Sequence, residues 1–210
     1  RMPTNGQQAE RTFLIAETLA KLYQLPKPQF RPPLINRPKT NLTNAPKNLV
    51  VIHPFASAIT KNWSHEYWAE VIEWLTTHNY HVAIIGGPND SLQLPDELKN
   101  KVTMYAGTLK LDESAALLAN AKLFIGIDSG PGHIAAALGI HGITIFSSVN
   151  APTRWRPCRT DAKWIVLHKA PDDRAKYPME RRELPAGTIG NPYTDGITID
   201  NVIKTIQKVT

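Results

Sequence analysis

A single cysteine, Cys158, stands in 210 residues, which leaves no partner for an internal disulfide and too few thiolates for a Cys-based zinc site or an iron–sulfur cluster. No apolar run approaches the roughly 20 residues that a membrane-spanning helix needs. Arg1 to Gly6 leads into a polar, amphipathic segment rather than an apolar stretch, so no secretory signal is expected. Several reaction signatures are absent too: the chain has no G-x-S-x-G elbow, no G-x-x-x-x-G-K-S/T loop, no H-E-x-x-H, and no D-x-D pair of the type that holds a metal on a diphosphate. The scarcity of cysteine favours a reducing cytoplasm.

What is present is an ordinary globular composition. Hydrophobic residues make up 42% and charged residues 20%, which excludes a disordered or fibrous chain. The net charge of +6 is unevenly placed: residues 1–60 carry eight basic and two acidic side chains, residues 61–150 five and nine, and residues 151–210 eleven and seven. A basic rim around an acidic centre suits an anionic substrate or an anionic membrane surface better than nucleic acid, for which no binding motif is found.

Along the chain, apolar residues from Phe13 to Tyr23 recur as one face of an amphipathic helix over Glu10–Leu25. The next stretch, Leu25 to Pro46, holds six prolines, which remove backbone donors and fix φ, so it reads as an extended linker. A helix that must bury one face ahead of a stiff linker suggests something upstream for it to pack on, and a chain starting at Arg1 fits part of a longer product. From Asn48 the pattern alternates. Strands are expected at Leu49–His53, His81–Ile85, Val102–Tyr105, Leu123–Ile127, Ile143–Phe146 and Trp164–Leu167. Helices are expected at Glu66–Thr77, Leu92–Lys99, Asp112–Asn120, Gly132–Leu138 and Asp200–Val209. The strands are short, apolar throughout and separated by helices, which predicts a doubly wound, Rossmann-like parallel sheet. Residues 149–196 read as long loops.

In such a sheet, ligands bind beyond the carboxyl ends of the strands. Three unusual segments fall there. His53-Pro54-Phe55-Ala56-Ser57 through Lys61-Asn62-Trp63 offers a hydroxyl and, four residues on, an ammonium able to reach a phosphate; an ordinary strand-to-helix loop is the plain alternative. Gly86-Gly87-Pro88-Asn89-Asp90 brings backbone close to a ligand, with Asp90 placed to accept from ribose hydroxyls or, more plainly, to cap the following helix. Asp128-Ser129-Gly130-Pro131-Gly132-His133 follows an apolar strand and opens a helix of small residues, so backbone N–H groups and the helix dipole converge on an anion site. Its plain alternative is an N-cap beside a packing histidine.

The same segment satisfies G-x-G-x-x-A at Gly130, Gly132 and Ala135, so a dinucleotide-binding, NAD-dependent oxidoreductase must be weighed. The fingerprint belongs on the first strand of such a unit, yet at least three strands precede it here. No acidic residue stands about 20 positions on, since Ala151 to Arg159 contains none. Asp128 would also lie beside the pyrophosphate with nothing yet identified to neutralise it. If a diphosphate is bound, backbone dipoles and Lys61 must balance its charge.

Lys61-Asn62-Trp63, Gly86-Gly87, Ala106-Gly107-Thr108 with Leu111-Asp112-Glu113, and Asp128-Ser129-Gly130-Pro131-Gly132-His133, in that order, resemble the C-terminal half of glycosyltransferase family 9, the lipopolysaccharide heptosyltransferases. The resemblance runs in register from Asn48 to Pro152. It implies residues 1–47 as the helix and interdomain linker of a GT-B enzyme, and residues 48–210 as its nucleotide-sugar-binding domain, without the N-terminal acceptor domain that carries the base. It implies inverting, metal-independent transfer of a heptose from ADP-heptose to a lipopolysaccharide-core acceptor, with no other cofactor, and a cytoplasmic place peripheral to the inner membrane. Ser57 and Lys61 would contact phosphates or sugar, Asp90 the ribose, and the backbone at Leu109 the adenine. Asp128 would touch sugar hydroxyls, while the Ser129 and Gly130 amides and His133 address the diphosphate. Gly132 departs from the larger residue usual before the histidine, and Asp90 from the common Glu. A non-catalytic nucleotide-sugar-binding or partner-docking domain is the alternative from another class.

Overall fold

The computed structural model describes residues 8–29, 34–38, 45–148, 152–158, 163–168, 191 and 193–210. Helix α1 (Gln8–Leu22) and extended chain with no helix or strand in its described parts lead into β1 (Leu49–His53). A 3₁₀ turn (Ile59–Lys61), α2 (His65–Thr77), β2 (His81–Ile84), α3 (Asp96–Lys99), β3 (Val102–Met104) and α4 (Leu111–Ala119) follow. The second half runs β4 (Leu123–Ile127), α5 (Gly130–Ala137), β5 (His141–Phe146), α6 (Pro152–Trp155), β6 (Trp164–His168) and α7 (Ile199–Val209).

The six strands form one sheet in the order β3-β2-β1-β4-β5-β6, and every neighbouring pair is parallel. This is the doubly wound arrangement expected from the apolar strands. Val50 and Ile52 pack on one face with Trp68, Val71, Ile72 and Leu75 of α2 and with Val202, Ile206 and Val209 of α7. Leu49 and Val51 pack on the other face with Leu117 and Leu118 of α4 and Ala135 of α5. Burying a Val, Leu or Ile side chain contributes about 1.5–3 kcal/mol, so β1 and β4, buried at every residue, anchor the loops that leave their ends.

The strand order reverses direction between β1 and β4, whose first and fourth positions in the chain lie side by side with His53 opposite Gly126. A Cβ on Gly126 would meet the His53 carbonyl oxygen at 2.8 Å. Close approach of two backbones requires glycine there, and it sets the spacing of the two loops that matter most.

Two expectations are corrected. The helix expected over Leu92–Lys99 is only Asp96–Lys99, because Pro95, which cannot occupy a helix interior, becomes its N-cap, while Leu92 and Leu94 are buried as extended chain. A short helix, α6, stands in the region read as loops, most of which lies outside the described residues, as does much of the proline-rich linker.

Helix α7 is fixed at its start by a reciprocal pair of side-chain bonds. The Thr198 hydroxyl accepts from the Asn201 N–H at 3.2 Å and the Asn201 side chain accepts from the Thr198 N–H at 3.1 Å. Thr198→Ala is expected to cost about 1 kcal/mol of stability, read as a lower urea midpoint with an unchanged slope.

Candidate functional site

The crevice lies at the carboxyl ends of β1 and β4, where the topology places ligands in open α/β sheets. β1 ends at His53, and the loop after it turns through Ile59–Lys61. β4 ends at Ile127, and Asp128 and Ser129 link it directly to α5. An ion pair joins the two segments: Lys61 Nζ lies 2.9 Å from Asp128 Oδ2 and donates to the Asp128 carbonyl at 3.4 Å. Sixty-seven residues separate the partners in sequence. Asp128 is 8% exposed, so the ammonium answers the question of what neutralises a carboxylate beside an anion site.

The first turn of α5 is arranged unusually. Ser129 is its N-cap, with φ −159°, but its side chain makes no cap hydrogen bond. The hydroxyl instead donates to the Ile127 carbonyl at 3.1 Å and meets His53 Nδ1 at 2.9 Å. With the hydroxyl proton given to Ile127, the imidazole proton is assigned to Nδ1, so that the ring donates to Ser129. His53 is 8% exposed and edge-on to Phe55. Burial pushes its pKa down to about 4 against the pull of Asp90, so it is neutral at pH 7.

The unsatisfied amides at the start of α5 are those of Ser129, Gly130 and Gly132, since Pro131 has none. A Cβ built on Gly130 meets nothing within 4 Å, which leaves that approach open to a ligand. Gly132 points the other way: it is buried, with Phe124, Pro157 and Trp164 beside the position a Cβ would take. Its departure from the family's larger residue therefore bears on packing beneath α5 and not on the open side. His133 is exposed. Desolvation holds its imidazole below the ordinary 6.5, Asp128 opposes this, and Lys61 adds to it.

The remaining candidates line the same edge of the sheet but are not bonded to this group. Asp90 does not cap a helix. Its Oδ2 accepts from the Gly87 N–H at 2.6 Å and closes the turn after β2. It forms part of the wall of a cleft of about 180 Å³, lined also by Phe55, Asn62 and Trp68. The loop after β3 leans on that turn: the Gly107 N–H donates to the Gly86 carbonyl at 3.0 Å, and Gly107 adopts φ +74° where a Cβ would meet Pro88 at 2.9 Å. Leu109 follows and is half-buried against the α4-side core. Ser57 is exposed on the loop before Lys61. A second cavity of about 240 Å³ opens beside the strand starts Leu49, His81 and Lys101 and touches none of the candidate residues.

One support was not legible in the sequence. The segment before α7 returns to the β1 loop, where Asn191 Nδ2 and Thr194 Oγ1 both donate to the Asn62 carbonyl, at 2.5 and 3.2 Å. Trp63 Nε1 donates to the Ile197 carbonyl at 3.0 Å, and Asn62 Oδ1 accepts from the Ala56 N–H at 3.1 Å. Lys61 is thus held between a clamped residue and its carboxylate partner.

The glycine-bearing turn follows β4, fourth strand in the chain, which weighs against the dinucleotide fingerprint, a first-strand feature. The missing acidic residue stands as a second objection, while the neutralisation objection falls with Lys61. The family model for glycosyltransferase family 9 (heptosyltransferase) matches residues 3–182. The chain belongs to this family. Lipopolysaccharide heptosyltransferase 3 of Escherichia coli is 38% identical over 169 residues, 78% of this chain and 47% of that protein. Lipopolysaccharide core heptosyltransferase OpsX of Haemophilus influenzae is 32% identical over 170 residues, 78% of this chain and 48% of its own. This family member thus spans about half the length of these curated relatives. Among solved structures, E. coli ADP-heptose lipopolysaccharide heptosyltransferase II aligns with a TM-score of 0.66 at 20% identity, covering 89% of this chain and 56% of that one. E. coli heptosyltransferase WaaC with ADP aligns at 0.64 and 18%, covering 100% and 59%. The iron-containing dodecameric glycosyltransferase TibC of E. coli aligns at 0.60 and 22%, covering 79% and 47%. These likenesses establish a Rossmann-like fold of the heptosyltransferase kind. Among the described residues, no helix is long and apolar enough to cross a membrane and no three His, Cys, Asp or Glu side chains cluster as a metal site.

Proposed function

We propose that this chain is the donor-binding half of a glycosyltransferase that moves a heptose from ADP-heptose to a lipopolysaccharide-core acceptor. The observation that carries the reading is the Lys61–Asp128 pair at 2.9 Å beside a helix start whose N-cap side chain makes no cap. A diphosphate entering there meets the Ser129, Gly130 and Gly132 amides, the positive end of the α5 dipole and the Lys61 ammonium. Asp128, sharing Lys61, faces the sugar hydroxyls as acceptor. Asp90 holds the ribose at the cleft after β2, Leu109 offers backbone to the adenine, and Ser57 closes the phosphate side. Transfer proceeds with inversion, by a base in an N-terminal acceptor domain supplied in cis or in trans. The basic residues on either side of the acidic centre suit a cytoplasmic protein touching an anionic inner membrane, where each contributes about 1 kcal/mol near the surface.

In this reading the diphosphate charge falls to Lys61, His133 and backbone amides without a metal, so ADP affinity by calorimetry is expected to be equal in magnesium and in EDTA. ADP is expected to bind more tightly than UDP or NAD; preference for NAD would overturn the reading in favour of an oxidoreductase. Binding of ADP-heptose without turnover, after an acceptor domain is added, would indicate a binding module instead.

His133 gives the reading a pH signature. Its free-chain pKa lies below 6.5, and a bound diphosphate favours the charged imidazolium. The complex therefore takes up a proton, and ADP affinity is expected to fall as pH rises from 6 to 8. ADP's terminal phosphate titrates near pH 6, so the measure is the difference between parent and His133→Ala. A variant with the parent's affinity and the parent's profile would make His133 a packing residue.

A further inference from the structure

We infer that His53, buried beneath the site, is a positioning residue that keeps the α5 amides open by holding the Ser129 hydroxyl away from its own helix. The inference rests on the reading of the α5 start as a diphosphate site.

Serine at an N-cap ordinarily turns its oxygen onto the second or third helical N–H. Pro131 occupies the second position, so the amide that Ser129 could take is that of Gly132. It does not take it. The hydroxyl proton is spent on the Ile127 carbonyl at 3.1 Å, and the oxygen receives His53 Nδ1 at 2.9 Å. The donor is set by the sheet and not by α5. His53 is the last residue of β1, in register with Gly126 of β4, and its ring is confined by burial and by Phe55. A bond to His53, 76 residues away in the chain, therefore aims the serine toward the sheet and leaves its helix start to an anion.

The arrangement forgoes a local bond, and an anion that takes the amide would offset the loss. An N-cap bond is among the more useful local bonds available to a helix, and this helix has the residue for it without making the bond. Without His53, the Ser129 oxygen is free to turn onto Gly132, and a diphosphate must displace it. A displaced cap corresponds to about a fivefold loss of affinity.

The test uses the full chain, ADP as probe, and two substitutions at His53. His53→Leu removes the donor; His53→Asn places an amide nitrogen near where Nδ1 stood and restores it. ADP affinity is expected to fall about fivefold in His53→Leu and to return to within about twofold of the parent in His53→Asn. In a Ser129→Ala background, whatever that change does by itself, His53→Leu is expected to cause no further loss, because no hydroxyl remains to cap the helix. An equal loss in both backgrounds, or no loss in either, would overturn the inference. A ligand-free readout separates its failure from failure of the site assignment: hydrogen exchange at the Gly132 amide is expected to slow about fivefold in His53→Leu and to be parent-like in His53→Asn and in the double variant. Should the parent fail to bind ADP while exchange at Gly132 behaves as stated, the site reading falls and the serine latch stands; unchanged exchange at Gly132 would overturn the latch whatever ADP does.

Discussion

Lys61→Ala is expected to weaken ADP binding by about 1.5–3 kcal/mol, or roughly ten- to 150-fold, as loss of a charge-assisted hydrogen bond would. The structure adds a second contribution with its own signature. Lys61 balances Asp128, a carboxylate only 8% exposed. Removing the ammonium lets that carboxylate face the incoming diphosphate, and two like charges about 5 Å apart repel by roughly 3 kcal/mol at an effective dielectric of 20. Asp128→Asn added to Lys61→Ala is therefore expected to recover part of the lost ADP affinity. Asp128→Asn alone is expected to tighten ADP, because it removes the carboxylate that competes with the phosphates for Lys61, and to weaken ADP-heptose, because the sugar loses its charged acceptor. Calorimetry with both ligands on the three variants checks this. If Asp128→Asn changes ADP and ADP-heptose in the same direction, the carboxylate does not address the sugar.

The contrast between what this sequence displays and what it conceals follows the range of the interactions. Leu49–His53 and Leu123–Ile127 occur where expected to the residue, since a strand buried on both faces announces itself as an unbroken apolar run. Leu92–Lys99 misled because Leu94 and Leu98 stand four apart, as on one helix face, whereas Leu92 and Leu94, two apart, are buried as extended chain ahead of Pro95, where the helix starts. At the site, Lys61, Asp128 and the α5 start each show a local signal: an ammonium after a strand, an acid at a strand end, small residues opening a helix. Their pairing does not, because it is made by the adjacency of β1 and β4 across 67 positions. The clamp on Asn62 is less legible still. Asn191 and Thr194 are ordinary polar residues in a stretch read as loop, and only the return of the chain before α7 gives them a target. His53 was visible as a polar residue closing the run Leu49–Ile52, where a solvent-facing histidine and a buried one look alike.

Burial of that histidine should also govern how the domain responds to acid. An unfolded His53 titrates near 6.5, whereas the folded residue is held at about 4. Between those values the unfolded chain binds the extra proton and the folded chain does not, so stability is unaffected by this group above pH 6.5 and declines as pH falls toward 4. At pH 4.5 the decline from this one residue is expected to be about 2.5 kcal/mol, equivalent to some 5–10 °C in Tm for a domain of this size. His53→Asn keeps a donor for Ser129 and removes the titration. The urea midpoint of the parent is thus expected to drop more steeply than that of His53→Asn between pH 7 and pH 4.5, with the two lines converging above pH 6.5 apart from a constant packing difference. His133 is also held below 6.5, but it lies at the surface, and a His133→Ala control subtracts its share. Parallel lines for parent and His53→Asn would mean that His53 meets solvent or a compensating carboxylate in the acid form. Asp90, whose charge already pulls the imidazole toward protonation, is the group to replace next in that event.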